Sequence, residues 1–264
     1  PYASAGLGNK GHLTKPYKNY PTEQSVCPDC DNSPEDQNLF MRPFPKPNQI
    51  TCIARGDKKY PSRLNDLYDP PERLYIDGDL DLLKTPMIAI VGSRKASTEG
   101  LKNAAAFAKE LSQAGLLIVS GLARGIDGAA HQATLKLGIK HLTIAVCGTG
   151  LDVTYPKEHL DLARNIRNQG LLVSELPLGA PPKSCHFPRR NRIIAALSIG
   201  VVVIEAAEKS GSLITARIAS ELGREVFAVP GSIRHPLSSG CHLLIQQGAK
   251  LVRNPKEVLE ELVF

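Results

Sequence analysis

The chain has 264 residues, 42% of them apolar and 22% charged, with 32 basic and 26 acidic side chains, six cysteines and no tryptophan. That length holds one large α/β domain or two small ones, one being the simpler reading. No apolar run reaches the roughly 18 residues of a membrane-spanning helix and no charged-then-apolar leader opens the chain, so a soluble cytoplasmic protein with reduced thiols is expected.

The excess of +6 is unevenly placed. Residues 1–48 carry five basic and five acidic side chains, which leaves 27 basic and 21 acidic ones in residues 49–264. No acidic residue lies between Glu175 and Glu205, whereas Lys183, Arg189, Arg190 and Arg192 do. A local cationic face of this kind suits a polyanion and predicts salt-sensitive binding.

Residues 1–48 are rich in Pro, Gly, Asn and Lys and lack apolar periodicity, and they read as a disordered or poorly packed extension before a domain over 49–264. Cys27-Pro-Asp-Cys30 has no second ligand pair at similar spacing, so no metal is expected. Cys52 and Cys147 lie in apolar runs and read as core or loop thiols. From Ile50 the sequence ITCIA reads as a short strand, and Leu74-Tyr75-Ile76 follows turns at Tyr60-Pro61 and Asp69-Pro70-Pro71. Together they form a lead-in segment packed on a main sheet.

Met87–Val91 is the first core strand, opening into Gly92-Ser93-Arg94-Lys95 and a helix over Thr98–Ala114. The pattern repeats at Leu116–Val119 with the loop Ser120–Asp127, which contains Gly121 and Arg124, and at Leu142–Val146 with Cys147–Gly150. Leu171–Ser174 precedes a basic loop through Phe187-Pro188-Arg189-Arg190-Asn191-Arg192. Val201–Ile204 leads through AAEKSGS to a helix that Ser212 is placed to cap, with Ile214, Ile218 and Leu222 on one face and Gly223 as its stop. Val226–Val229, a helix near His242–Gln247, a strand Ala249–Val252 and a helix from Pro255 complete the chain. β-branched strands alternating with helices specify an α/β fold with a doubly wound, mostly parallel sheet.

In such a sheet the strand ends share one edge, where ligands bind, so Arg94, Arg124, Arg192 and Lys209 are placed to converge. Lys209-Ser210-Gly211-Ser212 supplies a cation, hydroxyls and helix-start amides, a combination suited to phosphate. Neither GxGxxG nor GxxxxGK[ST] occurs where a dinucleotide or a P-loop would need it, so no cofactor is expected. His131 and Asp127 admit two readings, a general base with its orienter or a loop-to-helix tie.

VGSR at 91–94, SGLARGID at 120–127, YP at 155–156, SE at 174–175, FPRRNRIIAALS at 187–198, EAAEKSGSLITA at 205–216 and GREVFAVPG at 223–231 resemble the DNA-processing protein A (DprA/Smf) family in register. The resemblance implies an extended Rossmann-like domain that binds single-stranded DNA without hydrolysing it. It also implies a homodimer that protects incoming strands and helps load the RecA recombinase during natural transformation. It assigns DNA contacts to Arg94, Lys209 and Arg192 and close-approach roles to Gly121 and Gly211. Ser93, Arg124, Arg189, Arg190, Asn191, Ser210 and Ser212 complete the expected DNA-binding set. The helical domain and the winged-helix-like domain that flank the Rossmann part in many members are not expected here.

Two other classes remain open. A nucleotide phosphoribohydrolase of the related fold would pair Glu205 with Arg192, although its PGGxGT turn is replaced here by Lys209–Ser212. A nucleotide-sensing module would prefer mononucleotides to oligonucleotides.

Overall fold

The computed structural model of the chain describes residues 50–262, so the expected extension and the Cys27/Cys30 question lie outside the described residues. Nine strands form one sheet: β1 (Thr51–Ala54), β2 (Arg73–Gly78), β3 (Met87–Val91), β4 (Leu117–Ser120), β5 (Thr143–Val146), β6 (Leu171–Ser174), β7 (Gly200–Val203), β8 (Glu225–Ala228) and β9 (Lys250–Leu251). Their order is β1-β2-β6-β5-β4-β3-β7-β8-β9. From β6 to β9 every pairing is parallel, while β1 pairs antiparallel with β2 and β2 with β6. The lead-in segment is therefore an integral edge of the sheet. Cys52 stands exposed on the outermost strand, where only Ile53 is buried, so its apolar run does not place it in the core.

Among the described residues six helices connect the strands, α1 (Thr98–Gln113), α2 (Ile126–Leu135), α3 (Leu160–Gln169), α4 (His186–Leu197), α5 (Gly211–Glu221) and α6 (Ser239–Gln246), and a seventh, α7 (Pro255–Leu259), follows β9. Strand β3 shows why both sheet faces need cover. Met87, Ala89 and Val91 join the core beneath α4, α5 and α6, while the alternate residues Ile88 and Ile90 join the core beneath α1 and α2. All five are buried, as a parallel strand with period-two side chains and helices on both faces requires.

Two helix assignments differ from the sequence reading. The basic loop is the first half of α4, because Pro188 falls in a first turn that tolerates proline and the apolar run Ile193–Leu197 buries the remainder. Helix α5 begins two residues earlier than a Ser212 cap would allow. Ser210 is the extended cap residue and its Oγ accepts from Ser212 N at 3.3 Å, while Ser212 lies inside the helix. The buried face of α5 is Ser212, Thr215, Ala216 and Ala219, small enough for close packing on the sheet, and Ile214 and Ile218 are half-buried at its flank.

The chain adds strands in one direction from β3 to β6, then crosses through α4 to β7 and continues the other way. The order thus reverses between β3 and β7, the switch point at which an open α/β sheet leaves a crevice at its strand carboxyl ends.

Candidate nucleic-acid interface

The loops after β3 and β7 bracket that crevice and are bonded together. Ser93 N donates to Glu205 O at 2.7 Å, and Ser93 O accepts from Ile126 N at 3.2 Å. Ser93 is buried, and its Oγ accepts from Lys95 N, so this serine shapes the loop from within. The loop it shapes exposes Arg94 and Lys95. Arg94 lies over the Phe187 ring at 5.1 Å, and Phe187 packs on Tyr155 with ring centroids 5.3 Å apart. These three side chains line one cleft with Gly121, Arg124 and Arg190.

The six predicted cations have very different surroundings. Arg94 and Lys209 are exposed and make no ion pair among the described residues, one on each side of the switch point. Arg124 is paired with Glu158, and that hydrogen bond raises the guanidinium pKa and lowers that of the carboxylate. Arg189 lies 3.3 Å from Glu175 and 3.6 Å from Asp69. Arg192 is buried against Glu175 at 2.5 Å. Arg190 is 4% exposed and donates to the carbonyls of Gly121, at 2.5 Å, and Val146. Burial pushes the Arg190 pKa down, opposed chiefly by the Asp127 carboxylate.

Helical geometry explains the scatter. Consecutive residues on α4 turn by about 100°, so Arg189 faces solvent, Arg190 the sheet edge, Asn191 the neighbouring helix and Arg192 the acidic end of β6. Asn191 Nδ2 donates to Gly211 O at 3.1 Å, which fixes α4 to the start of α5. At that start Ser210 Oγ and Ser212 Oγ are 2.7 Å apart, and a side chain added to Gly211 would meet nothing within 4 Å. Gly121 is different, since an added Cβ would lie 2.4 Å from Arg190 Nη1. Gly211 leaves space for an approaching ligand, whereas Gly121 makes room for Arg190.

Glu205 and Arg192 do not pair with each other. Both Glu205 oxygens serve the start of α1, accepting from Ser97 Oγ at 2.5 Å and Ser97 N at 2.9 Å. His131 and Asp127 also act separately, as the tie rather than the catalytic pair. Asp127 accepts from Gly121 N and Ala123 N, and burial raises its pKa against the pull of Arg190. His131 is fully buried between Leu122 N and Thr143 Oγ1.

The acidic partners Glu158, Glu175 and Asp69 escaped the sequence reading. Only Glu175 left a signal, as a carboxylate at a strand end ahead of a basic run. Among the described residues no cluster of His, Cys, Asp and Glu is arranged to hold a metal, and no helix is long and apolar enough to cross a membrane.

Comparison with known proteins agrees with this architecture. The profile of DNA recombination-mediator protein A matches residues 51–263. DNA processing protein DprA of Streptococcus pneumoniae is 53% identical over 208 residues, which are 79% of this chain and 73% of that protein. Protein Smf of Escherichia coli is 50% identical over 80% of this chain, which spans only 56% of its length. The solved S. pneumoniae structure superposes with a TM-score of 0.79 at 51% identity, covering 82% of this chain and 76% of the other. DNA processing protein A of Helicobacter pylori, whose structure was described for its single-stranded DNA binding mode, gives 0.72 at 31% identity over 80% and 94%.

Proposed function

This chain belongs to the DNA recombination-mediator protein A family, and on that premise we propose that it binds single-stranded DNA along the carboxyl edge of its sheet, as a binding protein and not as a hydrolase. The observation that carries the reading is the pair of exposed cations that make no ion pair among the described residues, Arg94 and Lys209, on either side of the switch point, beside the open start of α5. Phosphates approach there without displacing an existing ion pair. The aromatic surface is small, limited at the cleft to Phe187 and Tyr155, so backbone charge dominates and sequence preference is weak.

Binding without turnover is supported by the engagement of the groups that a phosphoribohydrolase would use, Glu205 on Ser97 and Arg192 on Glu175. Protection of incoming strands, loading of the RecA recombinase, a homodimeric state and a cytoplasmic location belong to the same reading, and they rest on the family resemblance.

The test is titration of the chain with single-stranded, duplex and mononucleotide ligands at several salt concentrations. Single strands bind best, and affinity falls steeply between about 50 and 200 mM salt. Arg94→Ala and Lys209→Ala each lower the slope of log affinity against log salt by about 0.7, and the double variant by about twice that, with melting temperatures unchanged. Equal affinity for duplex, or a double variant that binds normally, removes the proposal.

A further inference from the structure

The sheet edge continues past Lys209 to the loop between β8 and α6, residues 230–238, which no motif of the sequence reading assigned to DNA. Its base is pinned to the Lys209 loop. Ala206 N donates to Leu237 O and Gly240 N to Ala206 O, both at 2.7 Å, and His242 Nε2 lies 3.0 Å from Gly231 O. The tip is thereby held at a fixed place on the edge. A turn organised by Ser232, whose Oγ accepts from Arg234 N at 3.2 Å and whose carbonyl accepts from His235 N at 3.0 Å, presents two consecutive side chains to solvent. Ile233 is 90% exposed, and Arg234 makes no ion pair among the described residues.

A single exposed aliphatic side chain is ordinary on a protein surface. This one is held on a pinned turn beside a cation without an ion pair, on the loop after β8, whose neighbours β7 and β3 carry Lys209 and Arg94 on theirs. Parallel strands lie about 4.8 Å apart, so the ends of β3, β7 and β8 span roughly 10 Å, about three nucleotides at the 3.4 Å axial spacing of a stacked strand. An apolar side chain with no hydrogen-bonding group packs on a base face without reading its identity, while an adjacent arginine holds the phosphate.

We infer that the Ile233–Arg234 turn is a further contact for single-stranded DNA, with Ile233 packed against a base and Arg234 on a phosphate, extending the track from Arg94 through Lys209. This rests on the single-stranded DNA reading above. The test uses the full chain, a fluorescein-labelled oligothymidylate, a salt series and light scattering for mass. Arg234→Ala lowers the salt slope by about 0.7. Ile233→Ala weakens binding about fivefold with the slope unchanged, and Ile233→Leu restores it, a loss in keeping with one apolar base contact. All three variants keep the mass of the unaltered chain.

Variants that bind normally while Arg94→Ala and Lys209→Ala weaken binding overturn the inference and leave the parent reading standing. So does a change of mass in Ile233→Ala that accounts for its lost affinity, because the side chain then belongs to a contact between copies. Failure of the unaltered chain to bind oligothymidylate overturns both.

Discussion

Two glycines in the DNA-binding set do opposite work. Gly121 packs its Cα against the Arg190 guanidinium, which is already committed to the Gly121 and Val146 carbonyls. Gly121→Ala displaces that buried charge and costs about 2–3 kcal/mol of stability. Gly211 has open space where a side chain would begin and an ordinary negative φ, so Gly211→Ala leaves stability unchanged or slightly higher. Its methyl instead occupies the space a phosphate uses and weakens single-stranded DNA binding. Urea unfolding and binding titrations on the two variants separate the roles, and equal stability losses would show that both glycines serve packing. At this scale a small residue in a loop was legible from the sequence, but its purpose was not, because the purpose belongs to whatever sits above the Cα.

At the scale of elements, the start of α1 depends on a residue from another strand's loop. Ser97 caps the helix through Gly100 N at 2.9 Å, and Glu205 from the β7 loop holds Ser97 by both its N–H and its hydroxyl. A Cβ on Gly100 would lie 2.3 Å from the Glu205 carboxylate, so the glycine admits the carboxylate to the helix end. The arrangement also places a negative charge at the positive end of the helix. Ser97→Ala costs about 1 kcal/mol, and Glu205→Gln costs about 1–2 kcal/mol through weakened charge-assisted bonds. Both are measured by denaturant midpoint. If Glu205 were a catalytic carboxylate, Glu205→Gln would abolish release of free base from nucleoside monophosphates with the midpoint unmoved. The helix start was legible from the sequence, whereas the serine that caps it and the carboxylate 108 positions away that holds the serine were found only in the structure.

Over the whole molecule, His131 is expected to make the fold acid-sensitive. Leu122 N donates to Nε2, so the ring proton is on Nδ1 and faces Thr143 Oγ1, whose hydroxyl donates in turn to Ile118 O at 2.7 Å. This chain of bonds joins α2 to β4 and β5 and has no place for a second ring proton. Burial, with smaller contributions from His159 and Arg190, pushes the pKa down to about 3. The unfolded imidazole takes up its proton near 6.5. Between those values the unfolded state binds more protons, so stability is fully present above about pH 6.5 and falls as the pH drops toward 3, by up to about 1.4 kcal/mol per unit. Urea midpoints measured from pH 7 to pH 4 decline accordingly, and in His131→Gln the decline is shallower. A parallel decline in the variant would assign the acid sensitivity to other groups.

The sequence by itself determined the strands, their parallel arrangement and the edge where the loops gather. Parallel strands covered on both faces must be apolar at every position, as Met87–Val91 and Val201–Val203 are, and that is a local property of the chain. It also determined the family, since seven short motifs in register are a property of the string. The tertiary structure decided which cations are uncommitted. Arg192 is neutralised by Glu175 and Arg189 shares Asp69 from the far edge of the sheet, while Arg190 turns inward because one step on a helix rotates a side chain by about 100°. Burial and Coulomb energy depend on distance through space, so a run of arginines that reads as one patch along the chain is divided by folding into an exposed pair, a buried support and a buried ion pair. Of the predicted cations Arg94 and Lys209 stay exposed and without an ion pair, and their loops lie on the same edge because β3 and β7 are neighbours in the sheet.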